Sequence, residues 1–249
     1  MAKDKVPTRS ELARQSTGAV GETVSSAGEI ASFLAQARRS DPSAAGRLIF
    51  ALDATMSRQP TWDRACQIQA SMFDAVAKAG GLSVQLVYFR GFGESRASKW
   101  VMNAKALADL MTGIDCRGGQ TQIAKVLSHA NKENARKKVD ALVFIGDAME
   151  EEPDRLCQLA GELGLKGTRV FVFQEGRDAL AEKTFREIAR LSGGVWFRLG
   201  PNSAQELAEL LGAIAVYASG GRAALEAHGQ RGSTLLIERM YGNKGRGGS

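Results

Sequence analysis

Five oxygen-bearing side chains stand out by type and spacing. Asp53, Thr55 and Ser57 form a D-x-T-x-S run directly after an apolar stretch, Thr121 follows the glycine pair Gly118 and Gly119, and Asp147 follows Ile145 and Gly146 at the end of another apolar stretch. Carboxylates and hydroxyls without imidazole or thiolate suit a hard divalent cation. Magnesium fits best, because it takes six oxygens in near-octahedral geometry and keeps some of its waters; manganese or calcium would use the same donors. With the hydroxyls of Thr55, Ser57 and Thr121 bound directly and the two carboxylates acting mostly through water, the ion's inner shell is nearly neutral. Such an ion stays electrophilic, so a carboxylate from elsewhere could complete it.

For these residues to meet, the chain must fold in a particular way. From residue 48 onward, short apolar runs alternate with longer stretches of helical period, the pattern of strands joined by crossover helices. Residues 48–53, 84–90, 139–145, 169–173 and 195–199 read as strands, rich in Val, Phe, Tyr or Ile. Residues 62–78, 104–111, 122–132, 154–163, 179–191 and 204–217 read as helices, the last introduced by the S-x-x-E capping box Ser203 to Glu206. Only residues 91–94 separate 84–90 from a further strand at 95–101. That gap is too short for a parallel crossover and predicts an antiparallel edge hairpin. The expected class is α/β: a doubly wound, mainly parallel six-stranded sheet of order 3-2-1-4-5-6, with one antiparallel edge strand and helices on both faces. In such a sheet the loops at the carboxyl ends of the strands form a crevice where strand order reverses, and strands one and four flank it. Asp53 and Asp147 then belong to adjacent loops.

Composition bounds the rest. The 249 residues are 44% hydrophobic and 24% charged, which excludes collagen, coiled coil and wholesale disorder. Cys66, Cys116 and Cys157 are odd in number and far apart, so neither a disulfide framework nor a zinc cluster is expected. No signal-peptide core or membrane-length apolar run is read, and the expectation is a cytoplasmic protein. Residues 1–46 read as a flexible arm with one amphipathic helix at about 26–39, opened by the capping box Ser26 to Glu29. Residues 47–218 read as the domain. Residues 219–249, with five basic side chains against two acidic ones, read as a basic, Gly-rich tail.

On these residues the chain resembles a von Willebrand factor A domain over roughly residues 47–217. Asp53, Thr55, Ser57, Thr121 and Asp147 match that family's metal-ion-dependent adhesion site, whose pattern is D-x-S-x-S, then a Thr, then an Asp. Thr55 stands where the family has its first Ser, which keeps the hydroxyl and adds a methyl group. The resemblance implies a non-enzymatic module that binds a protein partner through magnesium, the partner supplying an acidic side chain. Among intracellular, bacterial members it further implies an adaptor working beside an ATPase or chaperone machine. Met56, Arg58, Arg117, Gln120 and Met149 are the expected contact face. The acidic run Glu150, Glu151 and Glu152 reads either as a helix start stabilised by its dipole or as a rim that selects a basic partner.

Other readings compete. Asp53 and Ser57 taken alone are ordinary helix caps. Asp53 and the Gly146–Asp147 pair are also similar to haloacid-dehalogenase-type phosphatases, in which an aspartate attacks phosphate and a later acidic motif holds magnesium. Those enzymes place an acid two residues after the nucleophile, where this chain has Thr55, which cannot protonate a leaving group near neutral pH. Arg231, Arg239, Lys244 and Arg246 among glycines could bind RNA phosphates, with Tyr241 the one nearby aromatic. His129 reads as a surface residue, and His228, in the tail, carries no signal.

Overall fold

The computed structural model describes residues 45–58, 81–200 and 204–242. Six strands form one sheet: β1 (Gly46–Asp53), β2 (Leu82–Arg90), β3 (Glu94–Ala97), β4 (Ala141–Gly146), β5 (Arg169–Gln174) and β6 (Trp196–Arg198). Their order is β3-β2-β1-β4-β5-β6, and every pairing is parallel except β2 with β3. The expected topology is therefore the observed one, with the reversal between β1 and β4.

Alternation along the central strands divides the interior in two. On β1, Leu48, Phe50 and Leu52 face one core while Ile49 and Ala51 face the other; on β4, Ala141, Val143 and Ile145 oppose Leu142 and Phe144 in the same way. Continuous apolar runs are what a strand covered on both faces requires. One face is covered by α1 (Ala104–Thr112), α5 (Ala204–His228) and α6 (Arg231–Tyr241). The other is covered by α2 (Ile123–Arg136), α3 (Pro153–Leu165) and α4 (Ala179–Ser192). Local signals set the helix ends: Asn103 and Asp178 accept the N–H groups of Ala106 and Ala181 at 2.7 Å, and Pro153 opens α3. The expected helices at 26–39 and 62–78, and the cap at Ser203, lie outside the described residues.

Three expectations change. The edge strand is shorter than 95–101: β3 ends at Ala97, Ser98 N–H still donates to Leu86 O at 2.8 Å, and an isolated bridge follows where Val84 and Val101 exchange N–H···O bonds of 2.7 and 2.8 Å. The stretch after residue 218 is helical as far as Tyr241. α5 runs to His228 with a break at Gly221, whose φ of 67° only glycine adopts without strain, and the break lets α6 fold back on α5. Leu225 and Leu236 are fully buried in the sheet-facing core, so residues 219–241 belong to the domain. The histidines are also engaged. His129 Nε2 donates to Gln85 Oε1 at 2.8 Å, with burial pushing its pKa down, and His228 bonds the buried Ser233 hydroxyl at 2.7 Å.

At the amino end of β1, Arg47 and Glu133 form a buried ion pair at 2.9 Å, and Trp100 donates its indole N–H to the same carboxylate at 2.9 Å. The Arg47 guanidinium also lies 3.8 Å from the Trp100 ring centre. Burial alone would raise the Glu133 pKa, but the hydrogen bonds from Trp100 and Arg47 outweigh it and hold the carboxyl below its ordinary value.

Two consequences can be measured by urea denaturation. Leu236→Ala should cost about 2–5 kcal/mol, the usual range for emptying a buried leucine site, and an unchanged midpoint would mean α6 is not part of the cooperative unit. Glu133→Gln should cost about 3 kcal/mol at neutral pH by leaving Arg47 buried without its counter-charge. Because the folded pKa of Glu133 is depressed, its contribution is complete above the ordinary glutamate pKa of about 4.3 and is lost as the pH falls below it. The difference between wild type and variant should therefore shrink in acid.

Candidate functional site

Leu52 of β1 lies opposite Ile145 of β4, so the two strands deliver Asp53 and Asp147 from adjacent ends of the sheet. Asp53 is fully buried, and its Oδ1 accepts the Thr55 N–H at 2.8 Å. That bond turns the chain into a short 3-10 turn, Met56–Arg58, and places the Thr55 and Ser57 hydroxyl oxygens 3.0 Å apart. The D-x-T-x-S run is thus folded so that its oxygens converge, which a simple helix cap would not require.

Thr121 comes from the loop between α1 and α2, and neighbours on both sides fix that loop. On one side, Arg117 N–H donates to Ala54 O at 3.0 Å, and Thr55 and Arg117 form an isolated parallel bridge. On the other side the loop rests on the β2–β3 turn: Gln120 N–H donates to Gly91 O at 3.3 Å, and Lys125 Nζ donates to Gly93 O at 2.9 Å. Gly119 lies so close to this turn that a Cβ would fall 2.1 Å from Gly91 O, which explains why a side chain is excluded there. Arg90, buried at the end of β2, pairs with Glu94 at 3.0 Å and with both the backbone oxygen and the carboxylate of Asp115. Nothing in the sequence marked Arg90, because its role depends on a carboxylate 25 positions away.

The Asp147 loop completes the group. Asp147 Oδ1 is buried and has no hydrogen-bond partner among the described residues, an uncommon state for a carboxylate oxygen. Beyond it, the acidic run does something neither sequence reading foresaw. Glu150 Oε2 accepts the Thr121 N–H at 2.8 Å and the Thr121 hydroxyl at 3.1 Å, while Glu150 N–H donates to Thr121 Oγ1 at 3.1 Å. Glu151 accepts the N–H groups of Ile123 and Ala124, the latter at 2.9 Å. Gln122, the residue before α2, contributes no side-chain cap, so Glu151 supplies acceptors for the first turn of α2 from another loop, while Glu150 holds Thr121 just ahead of the helix. Glu152 precedes α3 without a capping bond of its own.

Of the expected contact face, Met56, Arg117 and Gln120 are exposed. Arg117 is engaged with Asp115 at 2.9 Å, and this guanidinium is the main reason the Asp115 carboxyl sits below its ordinary range. Met149 is a correction: at 4% exposure it packs into the core with α2 and α3, because the loop turns its acidic neighbours outward and this apolar side chain in. The side chain of Arg58 lies outside the described residues. Phe92, unmarked in the sequence reading, is 87% exposed on the β2–β3 turn that supports the Thr121 loop. Its position between Gly91 and Gly93 was the available signal. Among the described residues no three His, Cys, Asp or Glu side chains gather as a metal cluster.

No protein-family model matches the chain, and no curated protein matches it in sequence. Solved structures do match it. An aerotolerance-related membrane protein from Bacteroides fragilis is 18% identical, covering 68% of this chain and 98% of its own, with a TM-score of 0.54. A von Willebrand factor type A protein from Catenulispora acidiphila is 15% identical over 70% of this chain and 42% of its own, at 0.57. The SpRpn10 VWA domain is 11% identical over 66% and 94%, at 0.55. The chain has the von Willebrand factor A fold. At these identities the likeness extends to the architecture.

Proposed function

We propose that the chain is a divalent-metal-dependent protein-interaction module with a metal-ion-dependent adhesion-type site. Asp53, Thr55, Ser57, Thr121 and Asp147 would hold magnesium, or manganese or calcium in its place. What supports this reading is the delivery of Asp53 and Asp147 from adjacent strand ends, the Thr55 and Ser57 hydroxyls 3.0 Å apart, and a buried Asp147 oxygen without a hydrogen-bond partner among the described residues. The donor set fits a hard cation and offers hydroxyls where zinc would want imidazole or thiolate. When bound, the ion would supply positive charge to a carboxylate from a partner protein. Asp53 orients the D-x-T-x-S turn through Thr55 N–H, and the Thr55 and Ser57 hydroxyls share one hydrogen bond that a cation would displace.

In this reading Met56, Gln120 and Phe92 line the contact face, Arg117 reaches it already paired with Asp115, and Arg58 belongs to the same loop by sequence. The partner is an acidic protein surface, with a cytoplasmic ATPase or chaperone machine as the proposed setting and the chain as adaptor. Phosphoryl transfer is disfavoured because Thr55 occupies the position a general acid would need, with its hydroxyl bonded to Ser57. RNA binding through a basic tail is disfavoured because Arg231 and Arg239 belong to α6, a helix packed on α5, with Arg231 3.9 Å from Glu209; Lys244 and Arg246 lie outside the described residues.

The test is calorimetric titration of the full chain with magnesium and with manganese, beside melting curves in metal and in chelator. Wild type should bind the ion and melt higher with it, as any ligand selective for the native state dictates. Thr121→Ala should keep the chelated melting temperature to within about 1 kcal/mol of stability and lose most of the metal-dependent rise. No binding and no rise in wild type would sink the proposal, and sustained turnover of p-nitrophenyl phosphate would favour the phosphatase instead.

A further inference from the structure

Thr121 is held by three hydrogen bonds to a single residue. A threonine hydroxyl has one proton and two lone pairs. Here the proton points to Glu150 Oε2 at 3.1 Å, one lone pair accepts Glu150 N–H at 3.1 Å, and the Thr121 backbone N–H returns to the same carboxylate oxygen at 2.8 Å. The hydroxyl therefore cannot rotate, and a single lone pair remains for another ligand. Neighbouring Glu151 makes no such contact: its carboxylate is bonded to Ile123 and Ala124 N–H, at the helix itself.

Resting on the metal site proposed above, we infer that Glu150 is a positioning residue which aims the Thr121 hydroxyl at the cation and sets the site's affinity for it before any partner arrives. A carboxylate that accepts a proton from a metal-binding group fixes that group's orientation and raises its basicity, and such outer partners commonly govern affinity by factors of about 10–100. Glu150 does both through one oxygen. It also brings a negative charge to the site without entering the ion's inner shell, so the shell stays nearly neutral. The consecutive glutamates thus divide the work: Glu151 stabilises the start of α2, and Glu150 conditions the ligand that precedes it.

The experiment is magnesium titration of the full chain by calorimetry, with melting temperature in chelator as a second readout. E150Q keeps the length of the side chain and an oxygen able to accept from Thr121, but removes the charge. It should bind magnesium about tenfold more weakly than wild type while melting in chelator as wild type does. E151Q should do the reverse, lowering the chelated melting temperature and leaving magnesium affinity intact. Equal or tighter magnesium binding by E150Q overturns this inference alone, as does a parallel loss of affinity and chelated stability, which would make Glu150 a plain brace. Failure of wild type to bind magnesium overturns the metal site itself, and this inference with it.

Discussion

The first turn of a helix carries backbone N–H groups that its own residues cannot satisfy, and at α2 this shortfall organises the whole crevice. Gln122 offers no side-chain cap, so acceptors come from Glu151 in the loop after β4, while its neighbour Glu150 takes the N–H and hydroxyl of Thr121 just before the helix. The exchange binds the Thr121 loop to the Asp147 loop, while the Arg117 contact binds the Thr121 loop to the D-x-T-x-S turn. Three segments far apart in sequence are locked by hydrogen bonds in which several acceptors are charged, the stronger kind. A side chain at Gly119 would press the Thr121 loop away from the β2–β3 turn.

Those contacts also set the electrical character of the crevice. Among the described residues two of its cations are already paired, Arg117 with Asp115 and Arg90 with Glu94 and Asp115. Glu94 is held well within its ionised form, first by Arg90 and then by Arg96, so the β2–β3 side adds little free charge. On the proposed reading, the Asp53 and Asp147 carboxylates would repel an acidic partner until an ion is bound. In the proposed role, the ion reverses the local sign, and attraction becomes conditional on its presence.

The sheet was legible from sequence because its signal is local: runs such as residues 139–145 and 169–173 are apolar throughout, and only a strand buried on both faces uses them that way. Strand order also converts distance in sequence into adjacency, which is why Asp53 and Asp147 could be expected at neighbouring strand ends. What could not be read was any property decided by a partner elsewhere in the chain. Arg90 was invisible without Asp115, Met149 was assigned to the contact face from its place in the Asp147 loop, and Glu150 looked like a solvated helix start because Thr121 lies 29 positions earlier. The stretch after residue 218 was misjudged for a related reason. Its glycines and arginines suggested a tail, yet Gly221 marks a bend, and a few leucines suffice to dock both helical pieces.

The two rims of the sheet differ from its centre. β3 is four residues long and carries Glu94 and Arg96; β6 is three residues long and ends in Arg198, which is paired with Glu182. Short, charged borders offer little unsatisfied backbone for an incoming strand, so self-association by sheet extension is disfavoured and other chains are steered away from the sides of the molecule. In the proposed role, contact with a partner is thereby left to the loop-bearing end.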